Sequence, residues 1–141
     1  MSDPIAFTEI AAQGLWGTVE YVAEKLDKIE AKSFLVSRER KILAKFLVLF
    51  AQVANGGPAS LPNKRFKKEM DELWAFKWEF KKVQYRLPCF LDGNKCVITH
   101  GFVKPGAQKG MGEWPNAEIE RANRLKEWYF EAKKASLKRK K

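Results

Sequence analysis

Two hydrophobic periods divide the chain. Residues 5–10, IAFTEI, alternate weakly and predict a short strand. Over 19–30, Val19, Val22, Leu26 and Ile29 share one face of a predicted helix that Thr18 can cap. Ile42, Leu43, Phe46, Leu47, Phe50 and Val53 then recur at helical spacing, predicting a second helix near 37–55. Ser37 is its candidate cap and NGGP its stop. A basic connector, GPASLPNKRFKKEMDE, fills 57–72.

Beyond it the period falls to two. In LWAFKWEF (73–80), Trp74, Phe76, Trp78 and Phe80 alternate with Ala75, Lys77 and Glu79, the pattern of a half-buried strand. VQYRLPCFL (83–91) and KCVITHGFV (95–103) are also strand-like, and DGN between them is a hairpin signal. Pro88 predicts an edge position or a bulge in its strand. With Asp92 and Gly93 as the turn residues, Cys89 falls opposite Cys96. Two small buried hydrophobes are the first reading of that pair, and a cross-strand disulfide under oxidising conditions the second. A glycine-rich loop follows, and Pro115 opens a helix with Ile119, Ala122, Leu125 and Trp128 or Tyr129 on its buried face. The order predicts an α+β fold: an antiparallel sheet, two N-terminal helices packed on it and a C-terminal helix.

A length of 141 residues suits one domain, placed at 1–132, with a basic tail over 133–141. The formal charge of +10 favours a polyanionic partner, nucleic acid before an acidic protein or a membrane surface. The tail, with Lys133, Lys134, Lys138 and Arg139, reads either as a solvated, frayed end or as an arm that tracks phosphates. The N-terminus lacks a secretory pattern and the longest apolar run, FLVLFAQVA, is about half of the ~20 residues a membrane span needs. These features predict a cytoplasmic protein with no membrane partner.

Most catalytic vocabularies are missing from the sequence. It contains no phosphate-binding glycine loop, no dinucleotide fingerprint and no Cys/His cluster with zinc spacing, so no metal or cofactor is expected. What remains is basic and aromatic. Lys77 should point away from the Trp/Phe face of its strand, and Arg86 alternates with Tyr85 and Leu87. His100, Phe102 and Lys104 share a side, with His100 and Lys104 roughly 13 Å apart along the strand. A curved sheet could gather Lys77, Arg86 and Lys104 around a phosphate. The plainer reading is ordinary solvated strand faces, and for the single histidine a structural role comes before a catalytic one. Lys64, Arg65, Lys67, Lys68, Lys81, Lys82 and Lys109 join the tail residues as candidate RNA contacts.

Three blocks carry a family resemblance: LWAFKW, then YRLPCFLDGNKCVITHGFVK, then WPNAEIERANRLKEWY. Together they resemble the phage-derived toxin family of the RelE/HigB superfamily of bacterial toxin–antitoxin systems. The resemblance covers about 73–131 and extends more loosely through the two predicted helices. It implies a RelE-like sheet and a toxin that cleaves mRNA, generally at the ribosome, without metal or other cofactor. It also implies a cognate antitoxin, such as a small helix-turn-helix protein. By position, Arg86 matches the family arginine, Lys104 the lysine that ends the third strand and His100 the histidine of the same block. Lys77 stands where the family has arginine, keeping the charge but losing the bidentate fork. Trp114 stands in the place of a threonine helix cap. A non-catalytic phage or prophage protein that binds nucleic acid or the ribosome is the alternative on the same fold.

Overall fold

The computed structural model describes residues 8–25, 27–70, 72–104 and 114–139. Seven strands form one sheet: β1 (Thr8–Gln13), β2 (Thr18–Val22), β3 (Phe66–Met70), β4 (Leu73–Phe80), β5 (Val83–Asp92), β6 (Lys95–Ile98) and β7 (Phe102–Lys104). Their order is β1-β2-β6-β5-β4-β3, with β7 also paired to β5. Every pairing is antiparallel except β2 with β6, which run parallel. Helices α1 (Glu30–Val36) and α2 (Arg40–Gly56) and a short 3₁₀ turn precede β3, and α3 (Asn116–Arg139) follows β7. No helix among the described residues is long and apolar enough to cross a membrane.

The sheet is covered on both faces, which explains most of its sequence pattern. On one face Val19, Tyr21, Phe76, Leu87, Cys89 and Ile98 join Ile42, Phe46, Phe50 and Val53 of α2 in the main core. On the other, Val22, Phe90 and Val97 meet Leu125 and Tyr129 of α3, while Leu73, Ala75 and Phe102 meet Trp114 and Ala122. Arg121 pairs with Glu30 and Arg124 with Glu24, tying α3 to the chain around the start of α1.

The helix expected over 19–30 is therefore wrong. Residues 18–22 are a strand buried on both faces, Glu20 included, and Val19 and Val22, three apart, mimic a helical face. The first helix starts only at Glu30. The second begins at Arg40 rather than Ser37; Ser37 instead closes α1, its hydroxyl donating to Phe34 O at 2.8 Å. Of the strand expected over 5–10, residues 5–7 lie outside the described residues and 8–10 belong to β1, which runs on to Gln13. The basic connector contains β3, whose residues Lys67 and Lys68 pair with Ala75 and Trp74.

The third predicted strand is interrupted. Lys95–Ile98 pair with the far half of β5 and Phe102–Lys104 with its near half, leaving Thr99, His100 and Gly101 between. Pro88 sits opposite the gap: its carbonyl accepts the Thr99 N–H at 2.8 Å, and the N–H it lacks would point to the same side. Proline thus stands in a central strand, next to a break in its neighbour rather than at an edge. Gly101 lets the Phe34 ring of α1 close onto the gap, where any Cβ would collide with it.

The hairpin turn is Gly93-Asn94, not Asp92-Gly93, with Gly93 at φ 60°. Asp92 then pairs with Lys95, Leu91 with Cys96 and Cys89 with Ile98, so the cysteines are diagonal rather than opposite. Both are free and buried, and burial pushes the Cys89 thiol up. They are core residues.

Nor does residue 133 begin a frayed tail. α3 continues to Arg139, and Lys133 Nζ lies 2.7 Å from Asp92 Oδ2, which also accepts the Tyr129 hydroxyl at 2.7 Å.

Candidate nucleic-acid interface

α3 covers only part of its face of the sheet. Beyond Trp114 and Phe102 that face turns from apolar to charged. Lys77 of β4 is the cross-strand partner of Arg86 on β5, so their side chains leave the same side. Lys104 of β7 pairs with Gln84, one step diagonal to Arg86. The sheet thus brings together Lys77, Arg86 and Lys104, three of the four residues expected at the centre.

An open cleft of about 500 Å³ adjoins them, lined by Lys64, Arg65, Lys77, Trp78, Glu79, Lys81, Lys82, Gln84 and Arg86. Its cations are partly held in place. Lys77 Nζ lies 3.1 Å from Glu69 Oε2, both largely buried. Arg86 donates to Gln84 Oε1 at 2.8 Å and to Tyr85 O at 3.1 Å, which leaves further guanidinium N–H groups for a ligand. Burial pushes the Arg86 pKa down, against the pull of Glu69 and Glu79. Burial also lowers Lys104, and the charges of Arg86 and Lys77 add to this against the opposing pull of Glu69.

The β4–β5 turn makes the cleft's second wall. Phe80 pairs with Val83, so Lys81 and Lys82 are the two turn residues, at φ 52° and 67°. A two-residue turn of this kind needs positive φ at both positions and favours Asn-Gly. Lysine there costs roughly 1–2 kcal/mol per residue of backbone strain. Two ammonium groups are held beside the cleft against local conformational preference.

His100 does not join this group. It is 1% exposed, stacked on Phe102 with ring centroids 5.8 Å apart. Its Nε2 lies 2.9 Å from Glu118 Oε1 in the first turn of α3, and its Nδ1 3.0 Å from Thr99 Oγ1. A neutral ring can donate from Nε2 to the carboxylate and accept at Nδ1, where it competes for the single Thr99 hydroxyl proton with Pro88 O at 3.2 Å. His100 closes the strand break onto α3. The histidine expected among the catalytic residues is thus buried, with Glu118 of α3 against it.

The remaining candidates divide. Lys64, Arg65, Lys81 and Lys82 line the cleft, whereas Lys67 and exposed Lys68 continue along β3, Lys68 standing 4.0 Å from Glu72. Lys133 and Lys134 belong to the other end of the molecule. Lys133 grips Asp92, which lies roughly 20 Å along β5 from Arg86 at strand rise, and Lys134 pairs with Glu131. Lys109 and the side chains of Lys138 and Arg139 lie outside the described residues.

A family model described as phage derived protein Gp49-like (DUF891) matches residues 33–127. The chain belongs to this family. No curated protein and no solved structure matches it. The Gp49-like segment takes in α2, every strand from β3 to β7 and the first half of α3, and so contains the whole cleft. Pattern reading missed three cleft residues in this Gp49-like region, and Glu69, the partner of Lys77. Glu69 lay in the stretch taken as a connector, and Trp78 was absorbed into the apolar face of its strand. Glu79 and Gln84 carried no signal of their own. Glu118, the partner of His100, was read as a helix-start acid and nothing more.

Proposed function

We propose that this Gp49-like chain is the toxin of a type II toxin–antitoxin pair, a metal-independent endoribonuclease that cleaves mRNA on the ribosome. The observation that carries the reading is the Lys77–Arg86–Lys104 group beside an open basic cleft. The resemblance to the RelE/HigB superfamily supports it, because Arg86 and Lys104 stand at that superfamily's charged positions.

RNA supplies its own nucleophile, so the protein need only orient and neutralise. In this reading the 2′-oxygen attacks the adjacent phosphorus in line and the bond to O5′ breaks. A 2′,3′-cyclic phosphate and a 5′-hydroxyl result. Arg86, with N–H groups facing the cleft, offsets the charge on the phosphorane. Lys104, whose lowered pKa raises its neutral fraction, takes the 2′-proton. Lys77 returns a proton to O5′. A small helix-turn-helix antitoxin with an acidic segment is the proposed partner that covers the cleft.

A second reading rests on a specific observation: the only imidazole is buried under α3 and Lys77 is paired with Glu69. A cleft so equipped also suits a non-catalytic binder of RNA or the ribosome. Inducible expression in bacteria with mapping of mRNA 5′ ends separates the two. New 5′ ends that disappear in the Arg86→Ala, Lys104→Ala double variant support the nuclease. Growth arrest without new ends supports the binder.

A further inference from the structure

Trp78 is the residue of the cleft that phosphate chemistry leaves unexplained. Its strand face is otherwise core, yet its half-buried indole reaches the cleft lining. Two cations sit over it: the Arg65 guanidinium carbon at 4.0 Å from the ring centroid and Lys45 Nζ, from α2, at 5.2 Å. At 4.0 Å the guanidinium is in van der Waals contact and leaves no room for another plane between the two. The Arg65 backbone is pinned to β4, its carbonyl accepting the Lys77 N–H at 2.8 Å, so only the side chain need move to uncover the ring.

We infer that Trp78 is a stacking platform for one unpaired base, and that Arg65 occupies its face until that base displaces it. The inference deepens the RNA reading of the cleft and rests on it. A flat π-surface beside a row of cations suits a single strand, whose bases can splay out and stack while its phosphates follow the lysines. Bases in a duplex are stacked on their neighbours and cannot offer a face. Once displaced, the Arg65 guanidinium is free to meet a phosphate flanking the stacked base. Trp78 then selects single-stranded RNA, while Arg86 and Lys104 act on whichever phosphate it positions.

The test uses the full chain and two fluorescent oligonucleotides: an unstructured RNA of about eight nucleotides and the same backbone with abasic sites. Wild type should prefer the base-bearing strand by roughly 5- to 150-fold, the range of one aromatic–base stack. Trp78→Leu keeps an apolar body under the cations but removes the platform. It should bring the base-bearing strand down to the abasic level and leave abasic affinity unchanged. A variant that keeps the wild-type preference, or loses both affinities equally, overturns the inference and leaves the RNA reading intact. Wild type that binds neither strand overturns both. Should Trp78→Leu fail to fold, indole quenching decides: the base-bearing strand should quench wild type more than Trp78→Phe, and equal quenching overturns the platform.

Discussion

Glu118 holds Nε2 of the only histidine at 2.9 Å from one of its carboxylate oxygens, and so binds the first turn of α3 to the break between β6 and β7. The bond defines what His100 is for. Changing His100 to Leu should cost about 1–3 kcal/mol in denaturant melts, the usual range for losing a buried hydrogen-bonding group. His100→Gln, which keeps an amide donor near Glu118, should keep RNA cleavage within a few-fold of wild type. A 10²-fold or larger loss in a folded His100→Gln protein would return the histidine to the catalytic group. The same residue sets a pH dependence. Burial lowers its pKa from 6.5, against the bond and charge of Glu118, so the unfolded chain binds more protons than the folded one between the two values. Its contribution is complete above about 6.5 and is lost as pH falls through that value toward the folded one. Melting temperature should therefore drop more steeply on acidification from pH 7 in wild type than in His100→Gln.

The Lys81-Lys82 turn should trade stability for binding. Lys81→Asn with Lys82→Gly places the preferred residues at φ 52° and 67° and should raise stability by roughly 1–2 kcal/mol. The same change removes two cations from the cleft lining, so RNA affinity should fall and the log–log salt slope should shrink by about 1. Thermal melts and binding titrations at several salt concentrations give both numbers. A variant that is stabilised yet binds RNA with an unchanged slope would show that these lysines do not face the strand.

The end of α3 should prove divisible. Asp92 is pushed up by its burial and pulled further down by the bonds from Lys133 and Tyr129, for a net lowering. The Lys133 side chain is 38% exposed, so Lys133→Ala should cost about 1 kcal/mol. Removing residues 135–141 should leave the fold intact, since Leu137 in that stretch is 58% exposed and little apolar surface is lost. RNA affinity and its salt slope should fall together if an RNA strand extends that far. Circular dichroism and the same titrations check this, and an unfolded truncation would show that the helix end stabilises the domain.

Strand β4 was legible because one of its faces stays partly open, so Lys77 and Glu79 alternate visibly with aromatics. That period placed Lys77 away from the core face, while its direct pairing with Arg86 is fixed by the two-residue Lys81-Lys82 turn, which the pattern did not give. β2 was not legible, because both of its faces are covered and its register is set by β6, far away in sequence. The strand break at 99–101 was written in Pro88, but only the pairing shows that the missing N–H falls on the neighbour's gap. His100 and Lys104 looked equivalent on one strand face. They separate because α3, a remote element, covers one and stops short of the other.

The parallel pairing of Thr18 with Lys95 has a consequence for the order in which the protein is made. The β1–β2 hairpin leaves the ribosome early, yet its inner edge has no neighbour until residues 95–98 have been synthesised. The sheet cannot close until residues 95–98 have been made, and α3, which lies across it, follows them in the chain. The residues that line the cleft, 64–86, are therefore all made before the segment that joins the β1–β2 hairpin to the rest of the sheet.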